Sequence, residues 1–382
     1  MRVLLDVSAV PSEPRGAGRY IVELARHLAQ VDASDLDLVL LTRRDDADRW
    51  ADFARVRAAV PEARPVRLAW EQGRGAHVAR AEAIDVWHGP HYTVPLHLRT
   101  PRVVTVHDLT LLEHPEWHVS AKARFFGHMI PAAVQRAAVS VCVSHHTARR
   151  LDAVVPVRGG DPPRDVVVIP HGVDHERFRP DPDPSTDLAA LATLGVRPPF
   201  VAFVGTIEPR KDVPSLVQAF ARVASAEPDL RLVLAGGVGW DAAPVHDAIA
   251  TSGVAHRIVR TGYVDDDVVP ALMRRAAAVV YPSLEEGFGL PALEALACAA
   301  PLVTTAGSSI EEFVGDAALL VPPGNPERLA DALRRCLDPQ CAAELAERGP
   351  AQAAPYTWDA AARAHLDVYR RAALAGASRG AR

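Results

Sequence analysis

Glu286-Gly287-Phe288-Gly289-Leu290-Pro291-Ala292-Leu293-Glu294 sets two carboxylates eight positions apart around a glycine-bracketed turn. The run before it, Ala278-Val279-Val280-Tyr281-Pro282-Ser283, is apolar and β-prone, so the order reads strand, loop, helix. Gly287 and Gly289 place the first half in the loop, with Glu286 just before the helix and Glu294 about a turn inside it. A helix N-terminus between two acids offers free backbone N–H groups and the positive end of a dipole, where phosphate is favoured. Ionised carboxylates accept paired hydrogen bonds from neighbouring hydroxyls, so the acids suit a sugar or a ribose. The plainer reading is an acidic helix start beside an ordinary exposed glutamate, and the rest of the chain argues against it.

On the N-terminal side, short apolar runs alternate with helical patterns. Strand candidates lie at 2–7, 36–42, 65–69, 84–87, 102–106, 139–143 and 166–169. Between them run amphipathic segments such as 19–30, where Tyr20, Leu24, Ala25 and Leu28 share a face. Strands apolar on both faces and separated by helices specify a parallel sheet covered on both sides. The polar stretch Arg177-Phe178-Arg179-Pro180-Asp181-Pro182-Asp183-Pro184-Ser185 reads as a linker. The pattern then restarts with strand 200–205, helix 213–226, strand 230–235, and strands at 258–260, 278–281 and 301–304. A helix over 356–375 carries Trp358 and Tyr369. The chain therefore reads as two α/β domains, 1–178 and 179–356. Open parallel sheets bind ligands at the carboxyl ends of their strands, so two such sheets facing each other would enclose a cleft.

A length of 382 residues fits two domains of ordinary size. A net charge of −5 gives no electrostatic reason to expect nucleic acid as a partner. Lys122 and Lys211 are the only lysines, so arginine supplies nearly all of the 42 basic residues and Lys211 stands out. The cysteines Cys142, Cys298, Cys336 and Cys341 lack metal spacing. Cys142 and Cys298 lie in apolar runs, and a reduced, cytoplasmic protein is the natural expectation. The chain begins directly with a strand and shows no signal peptide, and no apolar run reaches membrane-spanning length. A lipid-linked substrate would then be met from the side, by peripheral contact at the inner face of a membrane.

The chemistry-bearing motifs each follow a strand. Phe203-Val204-Gly205-Thr206-Ile207-Glu208-Pro209-Arg210-Lys211-Asp212 ends a strand on Gly205 and sets two cations just before a helix. Fixed cations stabilise a diphosphate leaving group without having to reorganise, and arginine can grip phosphate oxygens bidentately. Arg102-Val103-Val104-Thr105-Val106-His107-Asp108-Leu109 runs a strand into a polar pair, where Asp108 either orients the imidazole or caps the turn. Gly16 and Gly18, in Pro14-Arg15-Gly16-Ala17-Gly18-Arg19-Tyr20, allow close approach of backbone to a ligand; Ile21 in place of a third glycine rules out the dinucleotide fingerprint. Asp85-Val86-Trp87-His88-Gly89-Pro90-His91-Tyr92 is suited to acceptor or donor contacts. The pairs His88/His91 and His114/His118 lack third and fourth ligands, so no metal is expected. Ser144 reads as a helix N-cap.

These motifs, in this order, resemble the retaining glycosyltransferases of GT-B fold, family GT4 (glycosyltransferase group 1), near their mannosyltransferase-like branch. The resemblance implies two Rossmann-like, doubly wound parallel-sheet domains facing a central cleft. It also implies that the terminal helix, 357–382, crosses back to the N-terminal, acceptor-binding domain. On the same grounds Arg210 and Lys211 hold the donor diphosphate and Glu294 binds ribose. Glu286 holds sugar hydroxyls with the N–H groups of Phe288 and Gly289, and His107 lies beside the donor sugar. Gly16 and Gly18 border the phosphate and acceptor region, Gly205, Gly287 and Leu290 belong to the binding loops, and Tyr263 lies near the nucleotide base. Ile169-Pro170-His171-Gly172 closes the first domain. The implied activity is hexose transfer from a nucleotide sugar to a hydroxyl of a glycan or lipid-linked acceptor, without metal or other cofactor. GDP-mannose is favoured as donor over UDP-glucose and dTDP-rhamnose. Two rivals share the fold: a non-catalytic sugar-nucleotide-binding protein, and a sugar-nucleotide epimerase, which would not need the Glu286/Glu294 pair.

Overall fold

Valine- and leucine-rich runs, apolar on both faces, form two separate parallel sheets with helices packed on them. The computed structural model describes residues 1–157, 164–181 and 183–380. One unit comprises Met1–Glu116, Ser120–Gly172 and the chain from Trp358 onward; the other comprises Val173–Thr357 with Trp117–Val119. The boundary expected after residue 178 falls after Gly172, and the proline-rich stretch from 177 to 185 belongs to the second unit. Asp183 there accepts from the Ser185 N–H at 2.9 Å and caps helix Pro184–Thr193, so this part of the stretch is a helix start. Pro182 lies outside the described residues.

The first unit holds β1 (Arg2–Asp6), β2 (Asp37–Arg43), β3 (Arg55–Val60), β4 (Val86–Gly89), β5 (Arg102–Val106), β6 (Val139–Cys142) and β7 (Val166–Val168). Their order is β3-β2-β1-β4-β5-β6-β7, all parallel, so the direction of winding reverses between β1 and β4. Leu4, Val39, Trp87 and Val104 are fully buried between sheet and helices. Residues 65–69, expected as a strand, instead open helix Arg64–Ala81, with Pro65 in its first turn, a position proline favours. The strand is β3, ten residues earlier; its arginines and exposed edge positions hide it from a search for continuous apolar runs.

Helix Trp358–Gly380 packs against helix Ala17–Gln30 of the first unit. Arg370 grips Asp35 with two nitrogens at 2.8 and 2.9 Å. A buried polar chain runs beneath. His365 Nδ1 lies 2.7 Å from the Ala361 carbonyl and donates to it, leaving Nε2 to accept from the Tyr20 hydroxyl at 2.9 Å. Tyr20 in turn accepts from Thr105 at 3.0 Å, Thr105 from His88 Nε2 at 2.8 Å, and His88 Nδ1 from the Tyr369 hydroxyl at 2.7 Å. Burial holds both histidines neutral, His365 down to about 4 and His88 well below the ordinary histidine value. Every link in the chain therefore has one direction.

The second unit holds β8 (Phe200–Val204), β9 (Arg231–Ala235), β10 (Ile258–Gly262), β11 (Ala278–Tyr281), β12 (Leu302–Thr305) and β13 (Ala318–Val321). Their order is β10-β9-β8-β11-β12-β13, again all parallel, with the reversal between β8 and β11. β13 was not anticipated; it is a four-residue edge strand with Leu320 exposed. Asp187 of helix Pro184–Thr193, 3% exposed at its side chain, pairs with Arg274 at 2.6 Å and Arg275 at 2.7 Å, fastening that helix to helix Val269–Arg275.

Candidate functional site

Ligands of open α/β sheets bind where the strand order reverses. In the second unit that point lies between β8 and β11, and both sequence motifs emerge there. After β8 the chain turns at Gly205. A Cβ placed on Gly236, in the loop after β9, would stand 1.9 Å from the Gly205 carbonyl oxygen, so this close approach of two loops requires glycine. Pro209–Lys211 form a single 3-10 turn ahead of helix Val213–Ala224. After β11 the chain runs through Ser283 to Gly289 and enters helix Leu290–Ala297. The Leu284 N–H donates to the Arg210 carbonyl at 2.8 Å and ties the two loops together.

The side chains converge on Glu286. One carboxylate oxygen accepts from Arg210 Nη1 at 3.0 Å; the other accepts from Lys211 Nζ. Glu208 takes Arg210 Nε at 2.7 Å. Lys211 also donates to the Tyr281 hydroxyl and lies over the Tyr281 ring. Glu286 and Lys211 are each 6% exposed. Burial alone would raise the Glu286 carboxyl, but Arg210 and then Lys211 outweigh it and hold it at about 2. Burial, and then Arg210, lower the Lys211 ammonium from its ordinary value. Two cations held by the buried Glu286 and the half-buried Glu208 at a sheet's carboxyl end can receive a diphosphate whose oxygens replace those acids.

Glu294 is 3% exposed in the second turn of helix Leu290–Ala297. Gly289, at φ +97°, is the N-cap of this helix, and a Cβ there would stand 2.6 Å from Ile310 Cγ1. Gly287 and Leu290 are buried, and the Phe288 ring packs against Phe313 and Tyr356. Tyr263 follows β10 and is 39% exposed. Arg210, Lys211 and Glu286 are thus brought together, and Glu208 and Tyr281, to which the sequence alone assigns no role, join them. A tyrosine at the carboxyl end of an otherwise aliphatic buried strand is the signal that could have singled out Tyr281.

The remaining candidates belong to the first unit. Gly16 is the N-cap of helix Ala17–Gln30 and Gly18 lies in its first turn. His107, 8% exposed, follows β5 and donates from Nε2 to the Pro90 carbonyl at 2.8 Å, which leaves Nδ1 as the acceptor. The Tyr20 ring packs edge-on against it at 5.0 Å. Asp108 accepts from the Thr110 N–H at 3.1 Å and hydroxyl at 2.8 Å, so it caps the turn. His88, expected near substrate, is fully buried and occupied by Thr105 and Tyr369. Ser144 accepts from the Thr147 N–H at 3.0 Å as an N-cap. Among the described residues no group of three or more His, Cys, Asp or Glu could hold a metal ion, and no helix is long and apolar enough to cross a membrane.

A family model described as Glycosyltransferase Family 4 matches residues 14–177, and one described as Glycosyl transferases group 1 matches residues 198–339. The chain is 27% identical to O-antigen chain mannosyltransferase B of Escherichia coli, over 97% of the chain and 100% of that protein. It is 31% identical to the D-inositol 3-phosphate glycosyltransferase of Kineococcus radiotolerans, over 97% of the chain and 94% of that protein. In fold it is similar to sucrose-phosphate synthase from Thermosynechococcus elongatus, with TM-score 0.79, 22% identity, and coverage of 97% and 98% of the two chains. It is also similar to Anabaena HepE, solved in complex with UDP and glucose, with TM-score 0.76, 20% identity, and coverage of 96% and 99%.

Proposed function

The chain belongs to the family 4 glycosyltransferases, and from that premise we propose that it transfers mannose from GDP-mannose, with retention at the anomeric carbon, to a hydroxyl of a glycan or lipid-linked acceptor. The carrying observation is the double engagement of Glu286 by Arg210 and Lys211 where β8 and β11 end. An incoming diphosphate takes over the two cations and frees the Glu286 carboxylate for sugar hydroxyls. Glu294, a turn into the helix, serves the ribose.

In the transfer step the bond from the anomeric carbon to the diphosphate oxygen breaks, and its electron pair leaves with the diphosphate. The acceptor oxygen attacks from the face the leaving group vacates, and its proton passes to a diphosphate oxygen. Arg210 and Lys211 stabilise the charge that develops there, fixed in advance by Glu208, Tyr281 and Glu286. No metal enters this scheme, because the cations stand where the charge appears. The relative named as a mannosyltransferase supports the choice of sugar, and the reaction belongs in the cytoplasm, at the inner membrane face when the acceptor is lipid-linked.

The test is incubation with GDP-mannose, UDP-glucose and dTDP-rhamnose, each with and without a panel of glycan acceptors. Acceptor-dependent release of GDP and a product of retained configuration are expected. A donor sugar altered without any acceptor would identify an epimerase, and binding without turnover a sensor; either outcome would overturn the reading.

A further inference from the structure

We propose that Ser309 is a positioning residue of the donor site: its hydroxyl pins the backbone of Glu286, so that the carboxylate can pass from its two cations to the hydroxyls of an incoming sugar while the loop stays still. That exchange rests on the transfer reading; the pinning stands on the geometry alone. β11 and β12 pair in parallel as far as Tyr281 opposite Thr304, and the ladder between them ends there. Carbonyls buried beyond a ladder's end are costly unless another donor meets them. Here side-chain hydroxyls take over. Thr304 donates to the Tyr281 carbonyl at 2.9 Å, Thr305 to the Ser283 carbonyl, and Ser309 to the Glu286 carbonyl at 2.9 Å. Thr304 and Ser309 are fully buried and Thr305 nearly so.

Ser309 differs from the two threonines in what it holds. Thr304 and Thr305 act on the end of β11 and the first residues of the loop, whereas Ser309 acts on the residue whose carboxylate engages both Arg210 and Lys211. The next residue, Ile310, is fully buried and walls the far end of the same turn, where a Cβ on Gly289 would stand 2.6 Å from Ile310 Cγ1. Ser309 is itself held, because its carbonyl accepts from the Glu312 N–H at 3.1 Å in helix Glu311–Val314. Burial raises the Glu286 carboxyl, and Arg210 and then Lys211 bring it down to about 2. The groups facing that carboxylate are Arg210, Lys211 and the Tyr281 hydroxyl that shares Lys211, with Glu208 on Arg210 Nε. Hydrogen bonds weaken steeply with distance and angle, so a backbone free to shift would loosen the grip on one cation or the other. With the backbone fixed, the exchange needs only rotation about side-chain bonds.

The experiment uses the full chain. Urea denaturation of wild type and Ser309→Ala, each also carrying Glu286→Gln, is followed at pH 5.5 and at pH 3. A depressed carboxylate contributes stability above its unfolded value and loses it as pH falls toward the folded one. The stability lost in Ser309→Ala should therefore be larger at pH 5.5 than at pH 3, and that difference should vanish in the Glu286→Gln background. An equal loss at both pH values marks a bond that serves the fold only and overturns the proposal. In transfer assays with GDP-mannose, Ser309→Ala should lower kcat about tenfold, the scale of one hydrogen bond. GDP affinity by calorimetry should stay near wild type, and Ser309→Thr, which keeps the hydroxyl, should recover most of the rate. Wild-type kcat in Ser309→Ala, or GDP affinity falling in step with kcat, also overturns the proposal. A wild-type protein that transfers no sugar counts against the transfer reading alone, since the denaturation comparison needs no ligand.

Discussion

Lys211 donates to the hydroxyl of Tyr281 and lies over the same ring, 4.6 Å from its centroid. A single aromatic residue at the end of β11 thus fixes the position of a cation that the chain supplies from the end of β8. Replacing Lys211 or Arg210 with Ala should lower turnover about a hundredfold, on the scale of roughly 3 kcal/mol for one preorganised donor. Tyr281→Phe keeps the ring and removes the acceptor, for a loss of about tenfold, on the order of 1 kcal/mol. Steady-state kinetics with saturating acceptor would read these effects, and wild-type rates in both cation variants would refute the assignment.

Glu286 should leave a signature in acid. Its carboxyl is held at about 2 against an ordinary value of 4.5. A depressed carboxylate gives stability that is present above the unfolded value and lost as pH falls through the folded one. The stability gap between wild type and Glu286→Gln, from urea denaturation, should therefore narrow between pH 5 and pH 2. A gap that stays constant over that range would show that the carboxylate is not held by its two cations.

The buried histidines predict a second window at higher pH. Burial lowers His88, His171 and His365, the last from 6.5 to about 4. In the unfolded chain each takes up a proton near 6.5, so their contribution is complete above that value and declines as pH drops toward 4. The slope approaches about 1.4 kcal/mol per pH unit for each histidine. Calorimetry should find a falling Tm from pH 7 to pH 5 and a shallower fall in His365→Gln; parallel curves would remove His365 from the explanation.

Asp187 separates stability from catalysis. It is the shared acid for Arg274 and Arg275 and lies in helix Pro184–Thr193, outside the loops that follow β8 and β11. Asp187→Ala leaves two partly buried guanidinium groups uncompensated and should destabilise the protein by roughly 3 kcal/mol. GDP affinity of the folded fraction should stay within twofold of wild type. A large change in affinity with little change in stability would reverse that division.

The sequence made the parallel sheets legible wherever strands are buried on both faces, as at 102–106 and 278–281, because continuous apolar runs leave no other reading. It failed at the edges. β3 alternates arginine with small apolar residues and so lacks the signature of a covered strand, while β13, Ala318-Leu319-Leu320-Val321, is apolar throughout but only four residues long, too short a run to tell from a turn of helix. Arg210, Lys211 and Glu286 could be proposed because charge beside a glycine turn at a strand end has few structural uses. Glu208 and Tyr281 act on those residues from adjoining positions, and no periodicity or spacing marks such support. His88 misled for a related reason: its partners Thr105 and Tyr369 lie 17 and 281 residues away in the chain, beyond the reach of local pattern.

Because helix Trp358–Gly380 completes the first unit, the second unit is an insertion within it. During synthesis the earlier sheet emerges long before the segment that covers it, and Tyr20 waits 345 residues for His365. The inserted unit is contiguous apart from three residues and can form as it leaves the ribosome. Loop closure of that length slows only the final docking. Chain breaks ahead of residue 358 should accordingly yield a soluble, nucleotide-competent fragment from the interior of the sequence and an aggregation-prone one from its start.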